Sequence, residues 1–498
     1  MLAGNDIVND LHDVDAPITN FNNAKSHPRS EEKFDGLLLL KGGSIMISSL
    51  YDKDTITAVI QDIQEKNIKF IRLQFTDING RMKSFAIQSN LIEGAFDHGI
   101  NFDGSSVTGY HAIEESDMVA MPDPTTYAMV PWREVDNDGG TCRLICDVFK
   151  KDDTPFEGDS RFILKNTLKR IKDDLGYSYF CAPEMEFFLL KQGKNEVMPN
   201  PMDLEGYFDL TPGDEAENLR REMVLNLEKF NIPVEKVHHE VSRGQHEIDI
   251  QFTDALRMAD WTVTLKNVVK SVAAFNGYQV TFMPKPYFGI NGSGMHVHQS
   301  FSDDSGKDVF YGEDPDTGYL SDIALGAIAG QLQLGRPMCA VLASWPNSYK
   351  RLVPGFEAPV YVAWGLTNRS PMIRVPDFRS NPKAARFETR CPDPAGNPYL
   401  QFAVLAYTAY LGIKNNWTPP PPTDLNLYEL SDDKRKELGI PSLPGNLAEA
   451  LHEFWHCPEM LDLFGSMAFE NFHRIKLAEW KVYSIQISDW EFNRYLSL

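Results

Sequence analysis

Cysteine is scarce in this chain. The 498 residues hold six, at Cys142, Cys146, Cys181, Cys339, Cys391 and Cys457, and no Cys-x-x-Cys pair. That excludes a disulfide scaffold and fits free thiols in a reducing, cytoplasmic compartment. The spacing of Cys142 and Cys146 resembles half of a metal knuckle, but no second pair follows, so two half-buried thiols on a strand are expected. Long apolar runs are also missing. Leu37 to Leu40 falls far short of the ~20 residues a membrane helix needs. The N-terminus lacks the basic stretch and apolar core of a secretory leader. Positive charge is in deficit, with 48 Lys and Arg against 70 Asp and Glu and a net charge of -22. Such a surface repels nucleic acid and anionic lipid, so neither is expected as a partner. It leaves room for a nucleotide, because Arg351, Arg369, Arg374, Arg386 and Arg390 can hold phosphates locally.

What is present is an ordinary globular composition, 42% hydrophobic and 24% charged, in a chain long enough for more than one domain. Residues 1 to 50 are rich in Asn, Asp, Ser and Gly without periodicity and read as a flexible extension. Thr55 to Lys66 places Ile56, Val59, Ile60 and Ile63 at helical spacing. Phe70 to Asp77 alternates as a strand, Asn79-Gly80 reads as a hairpin turn, and Met82 to Ile87 as the returning strand. These open a small β-rich domain over residues 51–150. Residues 151–498 read as a larger α/β domain, with helices predicted at 157–176, 215–230, 255–276, 320–333 and 400–414. Four prolines within 418–423 mark an extended connector.

The chemistry sits in strand-like runs. Glu184 and Glu186 stand in Ala-Pro-Glu-Met-Glu-Phe, Glu240 and Glu247 in His-His-Glu-Val-Ser-Arg-Gly-Gln-His-Glu, His296 and His298 in Gly-Met-His-Val-His, and Glu388 in Arg-Phe-Glu-Thr-Arg. Alternate strand side chains share a face, so Glu184 pairs with Glu186, His296 with His298, and Arg386 with Glu388 and Arg390. Carboxylates set side by side repel unless a cation lies between them. The pattern suggests a site for more than one divalent ion, with arginines for an anionic substrate, as in phosphoryl transfer.

Several longer stretches occur in order: Asn101-Phe-Asp-Gly-Ser-Ser, Glu114-Glu-Ser-Asp-Met, Phe282-Met-Pro-Lys-Pro, Asn291-Gly-Ser-Gly-Met-His, Arg351-Leu-Val-Pro-Gly-Phe-Glu-Ala-Pro, Asn368-Arg-Ser and Asn397-Pro-Tyr-Leu. Through them the chain from about residue 52 onward resembles the type I glutamine synthetases. The resemblance implies an α+β architecture: a small N-terminal β-grasp-like domain, then a catalytic α/β domain with a curved antiparallel sheet. It implies ATP-dependent ligation of ammonia to L-glutamate through γ-glutamyl phosphate, in a homo-oligomer, usually a double hexameric ring with active sites between subunits. By resemblance, Glu186, Glu240 and Glu247 hold one Mg2+ or Mn2+, and Glu184, His296 and Glu388 another. Arg351 and Arg390 clamp glutamate beside Asn291 and Gly292, and Arg369 meets the transferring phosphoryl group. Asp103 takes the ammonium proton from the adjacent subunit, with Ser106 and Tyr207 lining that pocket, and Glu357 closes the site. Glu235, His298, Ser300, Arg374, Lys383 and Arg386 are the expected nucleotide contacts.

The chain departs from the family in its long N-terminal extension and in a short connection between Gln192 and Gly206. The latter argues against adenylylation of Tyr428, which reads as a plain exposed tyrosine. Ala112 stands where some members carry a glutamine-sensing arginine, so weak feedback by glutamine is expected. A nitrogen-regulatory partner protein or 2-oxoglutarate control is implied only by resemblance. Two other readings remain open at this point: a γ-glutamyl ligase acting on a polyamine or other amine, and a non-catalytic relative.

Overall fold

The computed structural model describes residues 50–110, 116–133, 139–191, 200–211, 215–366, 369–378, 381–423 and 425–498. The N-terminal extension, Ala112, Asn368 and most of the Gln192–Gly206 connection lie outside the described residues.

Two sheets organise the chain. The first contains β1 (Ile68–Thr76), β2 (Met82–Gln88), β3 (Ile100–Asp103), β4 (Asp117–Pro122), β5 (Ala128–Met129) and β6 (Gly140–Lys150), in the order β2-β1-β6-β4-β3 with β5 against β6. β1 and β6 run parallel; the other pairs are antiparallel. Helices α1 (Lys53–Glu65) and α2 (Ile92–His98) accompany this sheet. Val59, Ile63, Ile71, Leu73, Phe96 and Leu144 form its core. The α1 stripe is the predicted one, and Asp52 caps the helix by accepting from the Thr55 amide.

The second sheet has nine strands: β7 (Ser178–Lys191), β8 (Val234–His239), β9 (Gln245–Ile250), β10 (Thr253–Asp254), β11 (Tyr278–Thr281), β12 (Met295–Ser302), β13 (Tyr361–Gly365), β14 (Pro371–Arg374) and β15 (Phe387–Thr389). The order is β13-β14-β15-β12-β7-β9-β8, with β10 and β11 also on β7. It is antiparallel except at one edge, where β13 and β14 run parallel. Fourteen-residue β7 is the spine, with partners on both edges. Its Pro183 has no N–H to give a ladder. It falls where β10 has ended at Phe180–Cys181 and β9 has yet to begin at Glu184.

Helices α3 (Ser160–Leu175), α4 (Glu215–Lys229), α5 (Ala255–Phe275), α6 (Asp322–Gln333), α7 (Gly335–Leu342), α8 (Ser348–Arg351) and α9 (Pro398–Lys414) pack with this sheet into one large core. The predicted helices are all present. Two start later than their periodicity suggests, because side-chain caps set the boundary: Asp159 for α3 and Ser321 for α6. The turn after β1 is also longer than a two-residue hairpin. Thr76 pairs with Met82, and Asp77 closes five residues by accepting from the amides of Asn79 and Arg81.

That turn docks the first sheet on the second layer. Asn397 caps α9 and donates to the carbonyls of Asp77 and Ile78. Gly80, at φ 76°, lies so close that a Cβ would sit 2.6 Å from the Asn397 Cα. Deeper in the same junction, buried Arg161 on α3 bridges Asp260 on α5 (3.0 and 2.9 Å), Asp123 after β4 (2.7 Å) and Asp147 on β6 (2.5 Å). One guanidinium serves three aspartates from separate elements, and Lys165 shares only Asp147, so removing Arg161 takes the ion pair from Asp123 and Asp260. Arg161→Met should cost about 3–5 kcal/mol in denaturant unfolding; a change under ~1 kcal/mol would mean the cluster is not holding the two layers together.

Candidate active site

Cross-strand register builds the site. On the second sheet His296 lies opposite Glu184, Glu247 opposite Glu186, Asp249 opposite Glu184, His238 opposite Glu247, Lys236 opposite Asp249, His298 opposite Glu388, and Arg374 opposite Glu388. Directly paired residues share a face. One face of six strands therefore carries a continuous strip of acids, histidines and basic residues. A cavity opens over it. Its lining includes Glu184, Glu186, Tyr207, Glu240, Glu247, Asn291, Gly292, His296, Arg351, Glu357, Arg369, Arg374 and Arg390.

The strip divides into two electrostatically different halves. In the first, His296 Nδ1 is 2.9 Å from Glu184 Oε2 and 3.6 Å from Glu388 Oε1. His298 Nε2 meets Glu184 Oε1 at 2.9 Å, while Arg374 meets Glu388 at 2.6 Å and Arg390 pairs with its other oxygen. Burial works to raise Glu184, but hydrogen bonds from the two histidines hold it well below the usual glutamate range. Burial likewise opposes ionisation of Glu388, and the Arg390 and His298 charges overcome it, leaving the carboxyl far below its ordinary value. This half is ionised and nearly balanced.

The second half is not. Burial and the neighbouring Glu240 push Glu186 up to about 8. Burial, with Glu186, Asp249 and Glu184 close by, drives Glu247 up further, and Glu240 is raised for the same reason. His238 touches Glu247 at 3.1 Å and Glu240 at 3.7 Å, but burial lowers its own basicity. Without a cation, burial and mutual repulsion favour the neutral forms of these carboxyls.

Among the described residues two donor groups lie on the strip, Glu184, His296 and Glu388, and His238, Glu247 and Asp249, while Glu186 and Glu240 fall in neither. Glu184, His296 and Glu388 present atoms all within 4.8 Å of one another. Carboxylate oxygens with one imidazole suit Mg2+ or Mn2+. Glu186 is already aimed: Oε2 accepts from Gln245 Nε2 (2.8 Å) and the Gly294 amide (3.0 Å), leaving Oε1 toward the cavity. Space is kept open by Gly294, where a Cβ would stand 2.5 Å from Arg351 Nη2, 2.9 Å from His296 Nε2 and 3.1 Å from Glu186 Oε1. Gly294, Gln245, His238, Lys236 and Asp249 were not among the residues expected from sequence. Gly294 and Gln245 sit inside the quoted motifs, and His238, Lys236 and Asp249 fall on the same alternation that marks the glutamates.

Arg351 is buried, and three of its N–H groups already go to the carbonyls of Arg390, Cys391 and Pro392. Arg390 keeps a buried Nε without an acceptor. Glu357 projects from an exposed loop at φ 55°, in the left-handed region that disfavours side chains, and its carboxylate accepts from Asn291 Nδ2 at 3.4 Å. Tyr428 is not the plain exposed tyrosine expected. It is half-buried, and its hydroxyl donates to the Ala358 carbonyl at the base of that loop.

Other expected residues stay out of the cavity lining. His298 lies one pair further along the strip, with Arg386 donating to its Nδ1 at 3.4 Å, and Ser300 follows on the same face of β12. Lys383 is exposed in the turn before β15. Glu235 sits in a bulge of β8, between Val234 and Lys236. Asp103 and Ser106 belong to the first sheet and the turn after it. Asp103 is exposed and accepts from the Ser105 amide at 2.9 Å, a local turn bond.

Comparison with known proteins decides the family. Residues 67–151 match the model described as glutamine synthetase, beta-Grasp domain, and residues 157–495 that of glutamine synthetase, catalytic domain. The chain belongs to the glutamine synthetase family. It is 44% identical over 447 residues to a glutamine synthetase of Thermotoga maritima, covering 89% of this chain and 100% of the relative. It is 46% identical over 442 residues to one of Methanosarcina mazei, with 88% and 97% covered. A solved complex of GmaS with ADP is similar in fold, at TM-score 0.78 and 28% identity, covering 88% of this chain and 99% of that one. The two-sheet architecture is thus that of the glutamine synthetases.

Two outcomes follow from the strip. Gly294→Ala should weaken divalent-cation binding roughly tenfold or more, read by titration calorimetry, since its methyl enters the space between the ligands. Cation binding should also release protons. Glu186, raised above its ordinary 4.5 to about 8, is protonated at neutral pH in the cation-free protein. Its neutral form stabilises the fold fully below pH 4.5, and that contribution is lost as pH rises through about 8. Adding Mg2+ at pH 7 should therefore release at least about one proton per chain, and the cation-induced rise in melting temperature should grow across that window. A pH-independent rise would contradict the protonated state.

Proposed function

We propose that the protein joins ammonia to the γ-carboxylate of L-glutamate, consuming ATP through γ-glutamyl phosphate and releasing glutamine, ADP and phosphate. The observation that carries this reading is the strip of glutamates and histidines across six strands, flanked by Arg351, Arg369, Arg374 and Arg390, in a chain of the glutamine synthetase family.

Glu186, Glu240 and Glu247 hold one ion, and Glu184, His296 and Glu388 a second. Bound there, Mg2+ or Mn2+ supplies neutralisation of the ATP phosphates and alignment for transfer. The chain's own residues do the rest. Arg390, with its unpaired Nε, and Arg351 orient glutamate beside Asn291 and Gly292. Exposed Arg369 reaches the transferring phosphoryl group, where positive charge stabilises the extra negative charge of the transition state. The solved GmaS complex with ADP supports a nucleotide on this architecture, and His298, Ser300, Arg374, Lys383, Arg386 and Glu235 are the proposed contacts. Glu357 closes over the acyl phosphate, excludes water and accepts a proton.

Asp103 and Ser106 act from a neighbouring copy in a homo-oligomeric ring, supported by their exposure and their absence from this chain's own cavity. The proposed domains are residues 51–150 and 151–498, a reading supported by family matches over 67–151 and 157–495. Among the described residues no helix is long and apolar enough to cross a membrane, and the cytoplasm is the proposed location.

The test is ATP-dependent phosphate release with glutamate and Mg2+, supplied with ammonium or with amines including putrescine. Saturable dependence on ammonium with glutamine formed is expected; turnover with an amine and not with ammonium would overturn the reading. Glu357→Ala should leak acyl phosphate to water, so that phosphate release exceeds glutamine formed; unchanged coupling would remove Glu357 from the role.

A further inference from the structure

Behind the acidic strip lies a second buried group of histidines. His239 and His246 precede Glu240 and Glu247 in the chain, and strand alternation turns them to the other face of the β8–β9 hairpin. They are directly opposite each other in register, with ring centroids 4.7 Å apart. Both meet Asp203. Its Oδ1 accepts from His239 Nε2 at 2.9 Å and from the Gly244 amide at 2.7 Å, and its Oδ2 faces His246 Nε2 at 3.4 Å.

Two imidazoles and a carboxylate are a plausible donor set for a metal in composition. The hydrogen bonding argues otherwise. Arg220 Nη1 lies 3.0 Å from His246 Nδ1, and a guanidinium can only donate. His246 Nδ1 therefore accepts, its proton sits on Nε2, and the nitrogen facing Asp203 has no lone pair for an ion. His239 Nδ1 lies 2.6 Å from the Glu240 carbonyl and must donate there, so Nε2 donates to Asp203 as part of an imidazolium, the form that the Asp203 carboxylate favours against burial. Asp203 Oδ1 thus takes both hydrogen bonds, from His239 and the Gly244 amide, while Oδ2 and His246 Nε2 face each other at 3.4 Å without one.

We propose that Asp203 is a positioning residue that fixes the β8–β9 turn and, through it, the cation-binding carboxylates of Glu240 and Glu247. This rests on the proposed ligand role of those two glutamates. The turn has no slack. Gly244 is at φ 68°, and a Cβ on it would stand 2.9 Å from Pro201 Cβ and 3.0 Å from the Leu189 carbonyl. The Gly244 carbonyl accepts from the Leu189 amide at 2.8 Å, and Met202 donates back to Leu189 at 2.9 Å. Glu240 closes the turn by donating to the Gln245 carbonyl at 2.7 Å, and its own carbonyl takes the His239 proton. Asp203 thus ties together the end of β8, the start of β9, and the segment that leads to Tyr207. Glu240 lies beyond the last strand residue, with only this turn to place it.

The test is Mn2+ titration of the metal-free protein, with free Mn2+ read by electron paramagnetic resonance and thermal unfolding measured beside it. The wild type should bind two ions per chain. Asp203→Ala should weaken one of them roughly tenfold or more and leave the other within about twofold. Asp203→Asn, which keeps an acceptor for the Gly244 amide but turns an NH2 toward His246 Nε2, should recover part of the loss. Should the alanine protein not fold, Asp203→Ser withdraws the carboxylate with the same expectation. Equal weakening of both ions together with a lower melting temperature would reduce Asp203 to general structure and overturn the inference, as would unchanged affinities. A third tight ion lost in His246→Gln would overturn it in favour of a metal site. No Mn2+ binding by the wild type would instead overturn the ligand assignment, and the inference with it.

Discussion

The crowding of negative charge on one sheet face is the constraint on which the rest of the structure depends. Two like charges about 4 Å apart repel by about 4 kcal/mol at an effective dielectric near 20. Glu184, Glu186, Glu240, Glu247, Asp249 and Glu388 share one region, so some must be paired, protonated or bridged. The fold uses different answers on the two sides. Around Glu388 it supplies Arg374, Arg390 and the histidines, which keep that carboxylate ionised. Around Glu186 and Glu247 burial outweighs the charge of Arg351, Lys236 is spent on Asp249 at 2.6 Å, and the carboxyls are pushed toward their neutral forms. One side is nearly balanced by its own residues, and the other has an excess of acid.

A site of this kind needs rigid support, because repelling groups move apart wherever the backbone allows. That accounts for the long β7 with partners on both edges, and for the hydrogen bonds from Gln245 and Gly294 that fix one oxygen of Glu186. The same requirement explains Arg161, which ties the first sheet to α3 and α5 through three buried aspartates. Support is withheld at one place. Glu357 stands on an exposed loop in a strained conformation, held to Asn291 by a long hydrogen bond and from below by Tyr428. On the proposed reading Glu357 covers the site and then releases product, a task suited to such a loop.

Much of this was legible in the sequence because strand periodicity carries chemical information directly. Glu184 with Glu186, and His296 with His298, share a face for the same reason that apolar residues alternate, and the structure joins those pairs across strands as the alternation requires. Helices over 215–229, 255–275 and 398–414 were equally plain, with boundaries moved only by caps. Register was not legible. Nothing local in the chain says that Glu247 lies opposite Glu186, or that Arg374 lies opposite Glu388, because pairing is settled by distant segments. The parallel β13–β14 edge and the five-residue turn closed by Asp77 were missed for similar reasons: one depends on crossover geometry, the other on a side chain that substitutes for backbone hydrogen bonds. Gly294 illustrates a further limit. Its importance lies in the side chain it lacks, and only the positions of Arg351, His296 and Glu186 around it reveal that.

The position of Asp103 carries the argument beyond a single chain. On the proposed reading an anionic group must take the ammonium proton near the acyl phosphate, and within this chain the cavity acids are already committed: those on the strip to cations, Glu357 to closure. Asp103 lies on the other sheet, exposed, with one oxygen used by the Ser105 amide and its acidity enhanced by that residue's hydroxyl and amide. A carboxyl kept ionised at the surface, away from its own chain's cavity, is suited to a site formed elsewhere. Placing it opposite the cavity of a neighbouring copy supplies the missing anion without adding another repelling carboxylate to the folding of either chain. Assembly would then solve the same electrostatic problem that opened on β7, by bringing the last negative charge to the site after the chain carrying it has already folded.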